Sequence, residues 1–328
     1  MIVAAPRIGA LLGLAAWAAS GAAVVIAGPA PTAALLPARF EGDTVYVQLR
    51  TAGGAPLQLY TDTGGGGLIL STSAARRIGL RISPATDPEV RSHLGPEART
   101  AAPPRIEAPS PPLPAPAVIV DRVAEIPAWP SQGDGIVGAP WFAGHIWTWN
   151  YSRRTLGLEP ASWRPPRGAH VLGLGFQTDA KGRETTHFPR LEAQIDGRRT
   201  SFLLDTGAET FLTPAAARAL GNGQERMRAT SMISSSIFES WRAAHPDWPV
   251  IRAAQVATGA DMIRVAHVLI AGIDVGPVWF TRRPDAAYAR FMSSMTDQPV
   301  VGSLGGNAFR SLVLTVDYPN RRVSLLSP

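Results

Sequence analysis

Leu57-Gln58-Leu59-Tyr60-Thr61-Asp62-Thr63-Gly64 carries an apolar strand pattern into a short acidic loop. Ser201-Phe202-Leu203-Leu204-Asp205-Thr206-Gly207-Ala208 repeats the move in the second half of the 328-residue chain. A hairpin pattern precedes each loop. Thr44-Val45-Tyr46-Val47-Gln48-Leu49 alternates before a Gly53-Gly54 turn, and Arg190-Leu191-Glu192-Ala193-Gln194-Ile195 alternates before Asp196-Gly197, a pair suited to a type I′ turn. The interval from Gly54 to Asp62 equals that from Gly197 to Asp205. Each loop is followed by an apolar stretch and an Ala/Arg-rich segment ending in Gly. Further on, Ile136-Val137-Gly138, Phe142, Thr148-Trp149-Asn150-Tyr151 and Arg153-Arg154 match Val300-Val301-Gly302, Phe309, Thr315-Val316-Asp317-Tyr318 and Arg321-Arg322. The interval from Phe to Tyr is the same in both, and an internal duplication of roughly 140 residues is the economical reading.

A chain that repeats one acidic loop is expected to pair two carboxylates. Held a few Å apart they cannot both ionise comfortably, so they share one proton and titrate as a coupled pair. The ionised partner can then act as general base toward a bound water, while the protonated partner polarises the carbonyl that the water attacks. Amide hydrolysis by this route needs no covalent intermediate and no cofactor.

These residues resemble the aspartic proteases, more closely the retroviral-type (retropepsin-like) branch than the pepsin branch. The likeness rests on the paired Asp-Thr-Gly loops, on Asp205-Thr206-Gly207-Ala208 with Thr210 behind it, and on the two apolar-apolar-Gly runs ending at Gly138 and Gly302. It covers the chain from about residue 40 to its end and implies an all-β, two-lobed acid-protease architecture of β-barrel type, with pseudo-twofold symmetry and a few short helices. By the same resemblance Asp62 and Asp205 are the catalytic carboxylates. Thr63 and Thr206 are the hydroxyls that lock the loops together, and Gly64, Gly207 and Ala208 shape the loops. The domains divide as a leader or anchor over residues 1–27, a first lobe over 36–160, a linker over 161–168 and a second lobe over 169–328. The implied activity is that of an aspartic endopeptidase taking a peptide or protein substrate in the cleft between the lobes. Because one chain supplies both loops, a monomer is expected.

The first loop departs from the family pattern. Gly65-Gly66-Gly67 follows the triplet where a small or hydroxyl-bearing residue is usual, and glycine is costly to order and brings no side chain to hold a carboxylate. A looser first loop is therefore expected, and with it the alternative of a catalytically weak or inactive protein of the same fold that binds peptides or an envelope partner. Thr258-Gly259-Ala260 is the candidate tip of a hairpin flap over the cleft. Residues about 236 to 245 read as a short helix, Ser234-Ser235-Ser236 as a flexible loop, and the Pro-rich run from Pro103 to Pro116 as an extended surface excursion.

Residues 8 to 27 carry no charge and follow Arg7, the pattern of a secretory signal. Its length also suits an uncleaved membrane anchor. An exported protein, periplasmic or secreted, is the expectation. The chain has no cysteine, which excludes disulfides and thiolate metal sites. Its histidines show no metal-ligand spacing, so no metal is assigned. The net charge of +6 is almost entirely arginine and is scattered rather than gathered into a stripe, which speaks against nucleic acid as a partner.

Overall fold

A computed structural model of the protein describes residues 32–121, 133–221 and 226–328, and the leader pattern of residues 1–27 lies outside them. The described chain is all-β and two-lobed, with a few short helices. One sheet of eight strands is drawn from residues 38–137, a second of nine from residues 190–304, and a third of six takes strands from both halves.

The hairpin patterns fold as read. Thr44–Arg50 pairs antiparallel with Pro56–Thr61, and Arg190–Ile195 with Arg198–Leu204. Asp196 and Gly197 both have positive φ, 52° and 73°, as the two central residues of a type I′ turn require. The expected match of Gly138 with Gly302 does not hold: Gly302 stands opposite Phe202 as Gly135 stands opposite Leu59, so Gly305 is the counterpart of Gly138. In each half the strand entering the acidic loop pairs in parallel with the short strand so placed, Pro56–Thr61 with Gly135–Val137 and Arg198–Leu204 with Gly302–Leu304. That strand pairs on its other side, antiparallel, with Leu68–Ser71 in the first half and Ser231–Ser234 in the second. The acidic loop is thus held at a sheet centre.

The halves differ in how the chain leaves the loop. After Asp62 it enters the sheet directly through Leu68–Ser71 and continues into helix Thr72–Arg77, capped by Ser71. After Asp205 the strand Glu209–Phe211 instead pairs with Met227–Ala229 in a separate two-stranded sheet. Ser231–Ser234 then takes the central place, followed by helix Ser235–Ala244. The serine run is therefore a strand end and helix start rather than a flexible loop. The Pro-rich run is likewise tied down. Leu113 is buried, Trp141 Nε1 donates to the Pro111 carbonyl, and Thr51 bridges to Ile106. The excursion packs back onto the first sheet because its few apolar side chains gain more by burial than by exposure.

The shared sheet runs in the order Ala34–Leu36, Thr155–Glu159, Ile146–Asn150, Val313–Asp317, Arg322–Leu326, His170–Gly173. At its centre Ile146–Asn150 and Val313–Asp317 pair antiparallel so that Thr148 faces Thr315, its own counterpart in the repeat, and their hydroxyls hydrogen-bond at 2.9 Å. Ile146 faces Asp317 and Val313 faces Asn150, so the register is reciprocal. Beneath this sheet Trp141, Phe142, Trp147 and Trp149 stack edge to face and tilted, all buried. Burial of each such ring is worth about 2–3 kcal/mol, which makes the cluster a main anchor of the seam. Trp279 is only partly buried and lies outside the cluster.

Candidate active site

The two acidic loops meet. Asp62 N–H donates to the Val137 carbonyl and Asp205 N–H to that of Leu304, so each Asp is hung from the short parallel strand beside it. Each loop then closes with a matched turn, Gly65 N–H to Asp62 O and Ala208 N–H to Asp205 O. Thr63 Oγ1 donates to the Leu204 carbonyl at 2.8 Å and accepts from Thr206 N–H at 2.9 Å. Thr206 Oγ1 accepts from Thr63 N–H at 3.2 Å and donates to Thr61 O at 3.4 Å. Both threonines are fully buried. Each hydroxyl satisfies groups of the opposite loop that burial would otherwise leave unpaired, at about 1–3 kcal/mol per group.

This reciprocal packing sets each carboxyl against the glycine of the opposite loop, Asp205 against Gly64 and Asp62 against Gly207, so that the two acids interact. It also explains the glycines. A Cβ at Gly64 would lie 2.6 Å from Asp205 Cγ, and one at Gly207 would lie 2.2 Å from Asp62 Cγ. Ala208 is buried and leaves no hydroxyl near Asp205.

Gly65 behaves differently from the slack that its sequence implies. Its Cβ would fall 2.7 Å from Asp62 Oδ2, and its N–H closes the turn onto the main-chain oxygen of Asp62 while the Gly64 N–H takes the carboxylate. The Gly64 bond to Oδ1 is 2.9 Å. Gly138 packs beneath this turn, its N–H donating to Gly67 O and the next residue's N–H to Gly65 O, both at 2.7 Å. The first loop thus holds its carboxylate with a main-chain donor. Only Gly66 and Gly67 face open space.

Burial raises the pKa of both carboxyls. For Asp62 this is opposed by Asp205 and by the N–H groups of Gly64 and Gly65. For Asp205 the charge of Asp62 adds to burial, and its pKa stands well above the usual carboxylate range. Asp205 is the more deeply buried and Asp62 the partly exposed partner that accepts the Gly64 N–H, so burial favours the proton on Asp205 and ionisation on Asp62.

Asp62 and Gly207 open onto a cavity of about 190 Å³ whose walls include Tyr60, Ile136, Glu209, Met232, Gln255 and Arg283. Several of these were not singled out from the sequence. Glu209 directly follows Ala208, and burial pushes its carboxyl up to about 7, with the charge of Asp62 adding and a hydrogen bond with Tyr60 opposing. Tyr60 also donates to Gly207 O at 2.8 Å, tying the strand of one lobe to the loop of the other. Place in the motif could have flagged Glu209 and Tyr60. Gln255 lies between strands and Arg283 ends the strand Val278–Arg283, far along the chain from the second loop, and nothing in local sequence marks them. Arg283 Nη1 donates to Gln255 Oε1 at 3.2 Å.

The turn Thr258-Gly259-Ala260 does sit between two paired strands, Val250–Ile251 and Met262–Val265. Its tip does not line the cavity of the carboxylates. Thr258 and Ala260 line a neighbouring cavity of about 180 Å³ with Ser235, Arg282 and Pro284, and Thr258 Oγ1 donates to Gln255 Oε1 at 2.6 Å. The turn therefore stands behind Gln255 rather than over the reacting groups. A groove of about 860 Å³ lies along Leu49, Arg50, Leu57 and the Pro-rich run, and neither carboxylate lines it.

No protein-family model and no curated protein matches the chain. Among solved structures it is similar to an aspartic proteinase from Irpex lacteus, at 10% sequence identity and a TM-score of 0.48, over 90% of this chain and 97% of that one.

Proposed function

We propose that this chain is an aspartic endopeptidase that hydrolyses peptide bonds with a water activated between Asp62 and Asp205. The observation that carries the reading is the pair of reciprocally locked loops that set two carboxyls each against the other's glycine, with Asp62 at the wall of a cavity. Ionised Asp62 takes a proton from the water as its oxygen bonds to the scissile carbonyl carbon. Protonated Asp205 delivers its proton to the carbonyl oxygen, giving a neutral gem-diol. Collapse returns a hydroxyl proton of the diol to Asp205, Asp62 passes its proton to the leaving nitrogen, and the C–N bond breaks. The dyad ends as it began. Rigid loops matter because small misplacements of such groups cost orders of magnitude in rate.

In this reading the lobes span 36–160 and 169–328 with the linker at 161–168, the substrate is a peptide or unfolded protein lying in the cleft, and the chain works as a monomer. The uncharged run of residues 8–27 supports an exported protein, periplasmic or secreted, with that segment removed or kept as an anchor.

The test is cleavage of an unfolded protein by the purified full chain between about pH 3 and 7. Asp62→Asn and Asp205→Asn are each expected to lower the rate by about 10²–10⁴-fold with the fold retained by circular dichroism. The proposal fails if the wild type cuts nothing across that range, or if either variant cuts at the wild-type rate.

A further inference from the structure

The two carboxyls are not supported alike. The residue after Gly302 is Ser303, in the strand Gly302–Leu304, opposite Leu203 and so on the sheet face that Asp205 shares, and its hydroxyl favours the ionised form of the Asp205 carboxyl. The residue of the first half in the same register is Ile136, opposite Tyr60 as Ser303 is opposite Leu203, and it brings no hydroxyl. Behind Ser303 stands Tyr288, with its hydroxyl 3.3 Å from Ser303 Oγ. Ser303 and Tyr288 are 1% and 3% exposed, so neither hydroxyl has ready access to bulk water. Tyr288 belongs to a π-helical turn, Ala287–Phe291, a costly local geometry that recurs where a side chain must be aimed.

We propose that Ser303 and Tyr288 are positioning residues for Asp205. Tyr288 O–H donates to Ser303 Oγ, Ser303 O–H donates to one oxygen of the Asp205 carboxyl, and this two-hydroxyl relay fixes which of its two oxygens bears the carbonyl-side proton. The inference rests on the dyad reading above and deepens it: the placement of that proton is set in the second half of the chain, with no counterpart in the first. The other groups that face Asp205 are Asp62 and Tyr60 from the first half and the Gly207 N–H of its own loop, while Arg283 acts on Tyr288. None of these supplies a second side-chain hydroxyl donor to the carboxylate.

A donor to the carboxylate favours its ionised form, so its loss raises the pH at which Asp205 gives up its proton. The experiment is a carbon-13 carboxyl NMR titration of the full chain, with the Asp205 signal assigned by its disappearance in Asp205→Asn. Ser303→Ala is expected to raise the upper titration midpoint of the pair by at least about 0.5 pH unit. Tyr288→Phe is expected to move it in the same direction by less, and Ser303→Thr to leave it in place. In the cleavage assay the alkaline limb of kcat/KM should move up by the same interval. A purely structural role would lower the rate without moving that limb. An unmoved midpoint in both Ser303→Ala and Tyr288→Phe overturns the relay, as does an equal shift of the Asp62 signal in both. Should Ser303→Ala fail to fold, Tyr288→Phe, which removes one oxygen, decides alone. The titration reads the relay whether or not the chain cleaves, whereas the asparagine variants read the dyad, so the two failures are distinct.

Discussion

Glu209 shows how one residue beside the dyad carries a consequence for the whole fold. Its carboxyl is raised from 4.5 to about 7 by burial, so the folded chain holds a proton that the unfolded chain releases well below that. Between about pH 4.5 and 7 the folded state therefore binds more protons than the unfolded one, and stability falls as pH rises. At about 1.4 kcal/mol per unit the share of Glu209 is on the order of 3 kcal/mol. Asp62 and Asp205, whose pKa values are also raised, act with the same sign. Glu209→Gln is thus expected to shallow the decline of Tm across this window without removing it. Thermal melts at half-unit steps would check this, and identical slopes for variant and wild type would count against a buried, protonated Glu209. A sequence reader sees Glu209 as an ordinary charged residue after a motif. Only the enclosure by Tyr60 and the opposite loop makes it a third acid at the site.

Among elements, the first acidic loop is where sequence and structure part. Three glycines in a row look uniform on paper, yet they have separate jobs. Gly65 abuts the Asp62 carboxylate, while a Cβ added at Gly66 or Gly67 would meet nothing. Gly65→Ala must therefore push Asp62 aside, and a loss of about 10²-fold in cleavage rate is expected. Gly66→Ala should change the rate little, which makes it the control. Equal rates for both alanine variants would show that the loop accommodates a methyl group and that Asp62 is not held as described. Main-chain support is invisible in a list of side chains, which is why the run read as slack. Long connections hid other elements for a related reason. The strand Ser231–Ser234 owes its central place to pairing with Gly302–Leu304, a partner far along the chain, and no local pattern in a serine run announces that.

For the whole molecule, the legible part was what repeats: two hairpins and two Asp-Thr-Gly loops, and hence an all-β fold in two lobes, whereas the second apolar-Gly run was read three residues early because Ser303 interrupts its apolar pattern. Short-range signals such as the Asp196-Gly197 turn carried that much because they specify geometry within a few residues. What stayed illegible is what only assembly creates, from the Tyr60 bond across to Gly207 to the setting of Arg283 beside Gln255.

The seam between the lobes implies more. Each half contributes three strands to the shared sheet, and the central pair, Ile146–Asn150 with Val313–Asp317, is the line along which they join. A chain nicked within 161–168 would keep every one of these ladders, whereas either piece alone would bare an open edge of alternating large apolar side chains. Co-produced fragments ending and beginning there are expected to copurify as a one-to-one heterodimer with restored cleavage, and each alone to self-associate or precipitate. Size-exclusion chromatography with light scattering distinguishes this from two independently soluble, monodisperse halves. The covalent link would then serve less to hold the folded lobes together than to set their stoichiometry during synthesis, so that an asymmetric partner, and not a second copy of the same half, meets each edge.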